Sequence, residues 1–233
     1  MSNISTLWVF GYGSLCWHPG FEYGDQAKGH ITGFARKFWQ GNTEHRGTKD
    51  KPGRVATLVQ EQNAITHGMA FQLKGEKALQ YLEQRECKLG GYISLVTMFH
   101  PRDCDRESFP VLLYIATESN EHWMGPAQDH DIAEQVVNCS GRAGHNVEYV
   151  LRLAEWIRKE IPETQDAHLF QIESHIRLKI TERKLCLQAL MGEKKANILE
   201  AESESNATTS GASGDSFAFS KCVCRNKLRC LKL

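Results

Sequence analysis

The order of hydrophobic patterns along the chain restricts its architecture more than any other feature. The first half is strand-like. Leu7-Trp-Val-Phe-Gly11 is a short apolar run closed by glycine, and residues 28–39, 53–60 and 64–73 are β-compatible segments separated by Gly-, Asn- or Pro-containing breaks. A helical segment, Leu79–Leu89, interrupts the series. Two more apolar segments, Tyr92–Phe99 and Phe109–Thr117, then flank a polar loop containing Pro101-Arg-Asp-Cys-Asp105. Beyond residue 120 the period becomes helical. Gly125-Pro126 places proline at a helix start, where a missing N–H costs nothing, and Asn146 reads as the N-cap of a face formed by Val147, Val150, Leu151, Ala154 and Ile157. A further helix is expected from about Ala167 into the 180s. Strands first and helices later is an α+β order, in which the strands can curl into a small barrel flanked by helices. Strict βαβ alternation is absent, so a doubly wound sheet is not expected.

The chain has 233 residues, enough for a substantial core, and its 28 basic side chains balance 28 acidic ones. Neutrality gives no global electrostatic case for nucleic acid or an anionic membrane as partner. Of eight cysteines, Cys16, Cys87, Cys104, Cys139 and Cys186 form no close pair. The first residues lack a basic segment followed by a long apolar run, and no apolar segment is long enough to cross a bilayer. Free thiols without a signal peptide predict a soluble cytosolic protein. From Glu193 the composition turns small and polar, and residues 201–215 cannot bury enough to order themselves. We therefore expect a domain over 1–185 and a disordered tail over 186–233. Cys222, Cys224 and Cys230 lack a fourth ligand for zinc. Lys232 occupies a normally aliphatic position of the prenylation-length box Cys230-Leu-Lys-Leu233.

Two sites carry chemistry. In the 79–89 helix, Leu79, Leu82 and Leu89 share one face, and Glu86 occupies the position of that stripe where another leucine would be expected. A carboxylate in an apolar seam is costly unless it is paired or its pKa is shifted, and such groups are functional candidates. The bland alternative is that the helix ends there and Glu86 turns to water. The second site is Gly11-Tyr12-Gly13-Ser14-Leu15, directly after the first strand. Two glycines around a tyrosine allow a sharp turn with converging N–H groups, suited to an anion or a developing oxyanion. It lacks the residues of a Walker loop or a Rossmann fingerprint.

Taken in order, Trp8-Val-Phe-Gly-Tyr-Gly-Ser-Leu15, Arg36-Lys-Phe-Trp-Gln40, His45-Arg-Gly47, Pro52-Gly-Arg-Val-Ala-Thr-Leu58, Arg85-Glu86, Gly90-Gly-Tyr92, Gly125-Pro126, Ile132-Ala-Glu-Gln135, Asn146-Val-Glu-Tyr-Val150 and His168-Leu-Phe170 closely resemble the ChaC-type glutathione-specific γ-glutamylcyclotransferases. The resemblance covers roughly residues 7–180. It implies a γ-glutamylcyclotransferase-like fold, a small mixed β-barrel flanked by helices with the Tyr-Gly-Ser-Leu loop at its mouth. The implied reaction converts reduced glutathione into 5-oxoproline and cysteinylglycine, without metal or organic cofactor. By the same resemblance the catalytic acid/base falls on Glu86 and the substrate loop on Val9, Phe10, Gly11, Tyr12, Gly13, Ser14 and Leu15, with Arg54, Tyr114 and Tyr149 as polar pocket positions. The tail lies outside the family pattern, and no protein partner is implied.

The elementary chemistry agrees. The γ-glutamyl α-amine attacks its own γ-carbonyl to close a five-membered lactam. The amine is largely protonated at neutral pH, so a base must take its proton, and the same group can then protonate the departing nitrogen. One carboxylate of raised pKa serves both steps. The loop N–H groups suit either the γ-carbonyl oxygen or the α-carboxylate. Arg36 and Lys37, which precede Phe38-Trp39, read either as a clamp for the glycyl carboxylate or as a surface arginine stacked on tryptophan. His45 and Arg46 read as a substrate contact or as a turn held by its own side-chain bonds. Cys16 reads as a nucleophile or a packed thiol. The rival functions are cyclotransfer on other γ-glutamyl amino acids or amines, and a non-catalytic regulatory binding protein on the same scaffold.

Overall fold

A computed structural model describes residues 7–88 and 91–192. Five strands close a barrel in the order β1-β3-β2-β4-β5: β1 Trp8–Gly11, β2 Tyr23–Asn42, β3 Gly53–Leu73, β4 Ile93–Pro101 and β5 Phe109–Ile115. All neighbours are antiparallel except β1 and β5, which meet in parallel at Val9 and Leu112 and complete the closure. β1 lies between two partners, so all four of its residues are buried and its sequence reads as one apolar run rather than an alternation.

The segments expected separately at 53–60 and 64–73 are one strand. β2 and β3 form a long ribbon from Tyr23 opposite Leu73 to Asn42 opposite Gly53. Its register shifts between Thr32 and Phe34, where β3 passes from Ile65 to Gln60. Gly33 and Asn63, both at positive φ, sit in this irregularity. A bulge bends and twists a ribbon without ending it, so the polar break in the sequence marks a bend. Beyond the bend, Phe34, Arg36, Phe38 and Gln40 alternate inward.

The chain then forms α1 (Glu76–Leu82), which runs into a wider π-helical turn over Glu83–Lys88. Three helices pack on the upper ribbon: α2 (Asp129–Val137), α3 (Asn146–Glu160) and α4 (Ala167–Glu182). A two-residue ribbon, β6 (Ser140–Gly141) with β7 (Gly144–His145), leads into α3. The expected apolar face of α3, Val147, Val150, Leu151, Ala154 and Ile157, is buried in the main core with Phe38, Leu58 and Ile132. Two boundaries differ from expectation. Pro126 precedes α2, which begins only at Asp129, because Gly125 turns at φ 69° to bring its carbonyl to Arg54. The N-cap of α3 is His145, whose Nδ1 accepts from the Val147 N–H, and not Asn146. Asn146 is fully buried, and its amide pairs with both backbone groups of Arg54: Oδ1 accepts from the N–H (2.6 Å) and Nδ2 donates to the carbonyl (2.8 Å).

The boundary expected at 185/186 falls just before α5 (Leu187–Met191), whose Leu190 is buried against the core. Residues 193–233, including the three tail cysteines, lie outside the described residues, as do Leu89 and Gly90. Among the described residues no helix is long and apolar enough to cross a membrane.

The cap of α3 makes a testable contribution to acid sensitivity. Burial and the nearby Arg46 cation push the His145 imidazole down to about 4. The folded state therefore holds it neutral, while the unfolded chain binds a proton below about 6.5. Between these values the unfolded state binds more protons, so stability falls as pH drops through about 6.5 and goes on falling to about 4. His145→Asn keeps a capping acceptor and removes the titration. Urea midpoints measured at pH 7 and pH 5 should converge more for His145→Asn than for the wild type. Equal losses in both proteins would show that His145 is not a source of the slope.

Candidate active site

The Gly11–Leu15 segment leaves β1 and tightens at once into a single 3-10 turn, Ser14–Cys16. The bonds of this turn begin with the Cys16 N–H to the Gly13 carbonyl at 3.0 Å, so the N–H groups of Ser14 and Leu15 are not consumed within it. Both glycines are sterically required. A Cβ on Gly11 would lie 2.7 Å from Leu15 Cβ, and one on Gly13 would lie 2.7 Å from the Tyr149 hydroxyl oxygen. The loop thus rests directly on Tyr149, which α3 holds from behind.

Glu86 lies in the π-helical turn, one turn beyond the fully buried Leu82. Of the expected stripe, Leu82 is fully buried, Leu79 is half-buried and Leu89 lies outside the described residues; the buried positions of α1 are Ala78 and Leu82. Glu83 is exposed. The Glu86 side chain retains 17 % exposure and pairs with Arg85, Nε to Oε1 at 3.0 Å. Burial raises its pKa and Arg85 opposes the rise. Among the described residues it is the carboxylate whose affinity for a proton is raised; the shifted Glu134, Glu160 and Glu163 all move down.

Two phenols, Tyr12 and Tyr92, are close enough to feel the Glu86 charge, and Tyr149 neighbours both of them. Burial lifts Tyr12 and Tyr92 well above the usual phenol range, and repulsion from Glu86 contributes to both. Tyr149 is pushed up to about 12 by burial. All three are neutral at physiological pH and can act only as donors or neutral acceptors. Tyr12 donates to the Tyr114 carbonyl at 2.5 Å. Tyr149 accepts from the Ala56 N–H at 3.2 Å, which leaves its own proton for donation. Tyr92 closes the far side, its N–H bonded to the Glu86 carbonyl at 3.0 Å.

The expected residues separate into distinct roles. Gly11, Tyr12, Gly13, Ser14, Glu86 and Tyr149 come together. Val9, Phe10 and Leu15 are buried side chains that hold the loop from below. Tyr114 packs with Val9, Leu15, Met69, Phe71 and Leu82 in a small second core beneath the loop. Arg54 is a strut. Its Nε donates to Gln135 Oε1, and its Nη1 donates to the carbonyls of Phe38 and Gly125, so the guanidinium ties β2, β3 and α2 together. Arg36 is neither clamp nor stacked cation: it is buried against Asp166, the N-cap of α4, with Nη1 to Oδ2 at 2.5 Å. Lys37 does lie over the Trp39 ring. His45 and Arg46 fit the turn reading, both N–H groups being accepted by Asn42 Oδ1. The Cys16 thiol donates to the Gly11 carbonyl and burial pushes its pKa up to about 12, which removes it as a nucleophile.

Residue-level reading gave no role to Arg85 and Tyr92. Both stand in the quoted blocks, but their convergence on Glu86 depends on the π turn and on Gly91 at φ 63°.

The model of the ChaC-like protein family matches residues 7–179. The chain belongs to the ChaC-like family. It is 45 % identical over 177 residues to the zebrafish glutathione-specific γ-glutamylcyclotransferase 1, covering 75 % of this chain and 90 % of that one. It is 46 % identical over 170 residues to the human protein of the same name, covering 72 % and 77 %. The crystal structure of the yeast γ-glutamyl cyclotransferase specific to glutathione superposes with a TM-score of 0.67 at 26 % identity, over 75 % of this chain and 96 % of that one. In this ChaC-like chain Arg85 links the Tyr-Gly-Ser-Leu loop to Glu86, meeting Ser14 Oγ at 2.9 Å and Glu86 Oε1 at 3.0 Å.

The contact between Gly13 and Tyr149 can be tested by adding one methyl group. Gly13→Ala must displace the loop or the phenol, at a cost of about 1–3 kcal/mol typical of overpacking. The variant should still unfold cooperatively with a lowered Tm, and its loop N–H groups should no longer be in place for substrate. Full activity with unchanged Tm would show that the loop is not seated on Tyr149.

Proposed function

We infer that the chain cleaves reduced glutathione to 5-oxoproline and cysteinylglycine. The observation that carries the reading is one half-buried carboxylate of raised pKa, Glu86, set against the Gly11–Leu15 loop in a chain whose relatives are named glutathione-specific γ-glutamylcyclotransferases. The reacting amine and carbonyl belong to the same molecule. The protein therefore mainly folds the γ-glutamyl arm into an attack conformer, for which proximity can supply about 7–11 kcal/mol in favourable cases. Glu86 takes a proton from the α-ammonium. The freed amine adds to the γ-carbonyl carbon, and the tetrahedral adduct collapses by breaking the bond to the cysteinyl nitrogen. Glu86 hands its proton to that nitrogen and then carries the second surplus proton of the lactam nitrogen to the released amine, which leaves as an ammonium, so the carboxylate is regenerated and atoms and charge balance without an added water.

The neutral phenols fit this cycle. An ionised tyrosine would repel the substrate carboxylates, whereas the Tyr149 hydroxyl can donate to the γ-carbonyl oxygen or to the α-carboxylate. Nothing in the lactam closure calls for a metal or an organic cofactor. We place this reaction in the cytosol.

Incubating pure protein with reduced glutathione should yield 5-oxoproline and cysteinylglycine in equal amounts, and exhaustive chelation should leave the rate unchanged. γ-Glutamyl-alanine should react poorly; a comparable kcat/KM for it would transfer the reading to γ-glutamyl amino acids in general.

Glu86→Gln preserves shape but cannot accept a proton. It should fold, bind substrate with little change, and lose roughly two to four orders of magnitude in kcat, the range of a lost general acid–base. The exposed Glu83→Gln is the internal control and should turn over normally. Near-normal turnover by Glu86→Gln would remove the central residue from the mechanism.

A further inference from the structure

The Arg85 side chain touches both halves of the site. Its Nε meets Glu86 Oε1 at 3.0 Å, its Nη2 donates to Ser14 Oγ at 2.9 Å, and its Nη1 donates to the Pro19 carbonyl at 3.3 Å. The three contacts belong to the π-helical turn, the 3-10 turn and the segment that follows it. Adjacent residues of an α-helix do not face each other. Here they do, and the wider turn is the local departure that accompanies it. The planar guanidinium fork reaches all three acceptors at once, which a lysine ammonium on a flexible stem would hold less well.

We propose that Arg85 is a positioning residue of the reaction, a single guanidinium that fixes the Glu86 carboxylate and the Tyr12–Leu15 turn in register with each other. This rests on the cyclotransferase reading of the site. The two jobs separate chemically. The bonds to Ser14 and Pro19 hold the substrate loop at a set distance from the base. The charge beside Glu86 keeps enough of that carboxylate ionised to act as a base, against burial that drives it toward the acid. Among the described residues, the other groups facing Glu86 are the neutral phenols Tyr12 and Tyr92, with Tyr149 behind them. His45, which also feels Arg85, has its pKa lowered by burial and by the surrounding cations. Among the described residues, burial and Arg85 are the influences acting on Glu86, and they oppose each other.

The test compares Arg85→Gln, Arg85→Lys and Ser14→Ala through the pH dependence of kcat/KM with reduced glutathione. In Arg85→Gln the charge is gone and burial is unopposed, so the acid limb should move to higher pH by about one unit or more. In Arg85→Lys the charge stays but the fork is lost, so the limb should stay near the wild-type position while kcat/KM falls at least tenfold. In Ser14→Ala the limb should not move and KM should rise. A readout independent of turnover accompanies these: 13C NMR titration of labelled glutamate carboxyls, with Glu86→Gln assigning the resonance. The Glu86 midpoint should rise in Arg85→Gln. An unchanged midpoint and an unchanged limb, in an Arg85→Gln protein that folds, would overturn the proposal. A shifted midpoint in a protein with no cyclotransferase activity would instead overturn the functional reading and leave the pairing of Arg85 with Glu86 standing.

Discussion

The β2–β3 ribbon is the constraint on which the rest of the structure depends. Its two strands run 20 and 21 residues, longer than a flat pair can remain without twisting, and the irregularity at Gly33 and Asn63 divides it into two working halves. The half nearer Leu73 pairs with β1 and β4 and closes the barrel. The half nearer Gly53 projects beyond the barrel and offers its inner face to the helices. Each helix is tied to it by buried polar bonds: Asn146 of α3 to both backbone groups of Arg54, Gln135 of α2 to the Arg54 guanidinium, and Asp166 at the start of α4 to Arg36.

Polar struts of this kind explain why the candidate clamps turned out to be structural. His168 of α4 shows the same economy. Its Nε2 accepts the Phe38 N–H and its Nδ1 meets Asp129 Oδ1, which sets the tautomer and joins β2, α2 and α4 through one ring. Once desolvated, these groups must be satisfied, and losing one partner strands the other. The upper ribbon is therefore specified by fixed contacts. The mouth of the barrel is different: its phenols are neutral, one carboxylate is held partly against its solvation preference, and one arginine spans the gap. Among the described carboxylates, the raised proton affinity lies at Glu86, beside the loop.

Much of the fold was legible in the residues. Apolar runs marked every barrel strand, the 3.6-residue period marked α3, and the switch from strands to helices near residue 120 gave the class. The misreadings have physical causes. The gap at 61–63 looked like a strand end because a bulge uses the same polar residues as a turn. Pro126 looked like a helix start because the demand that placed it beside Gly125, a carbonyl presented to Arg54, comes from a strand far away in sequence. Asn146 looked like a cap because Asn caps helices, but His145 took that place and freed the amide for β3. Of the site, Glu86 was visible as a charge out of place in a leucine stripe, and the loop as two glycines around a tyrosine.

Sequence alone thus determined the α+β class, the apolar runs that became barrel strands, the buried face of α3, the misplaced carboxylate and the glycines that the loop cannot do without, because each depends on local pattern or on backbone freedom. Only the tertiary structure decided that Arg54 and Arg36 are struts, that Cys16 is inert, and that Arg85 and Tyr92 meet Glu86 opposite the loop. Those outcomes are set by which groups are desolvated together. Desolvation is a property of three-dimensional neighbours, and residues such as Ser14 and Arg85 become neighbours only when the barrel has closed.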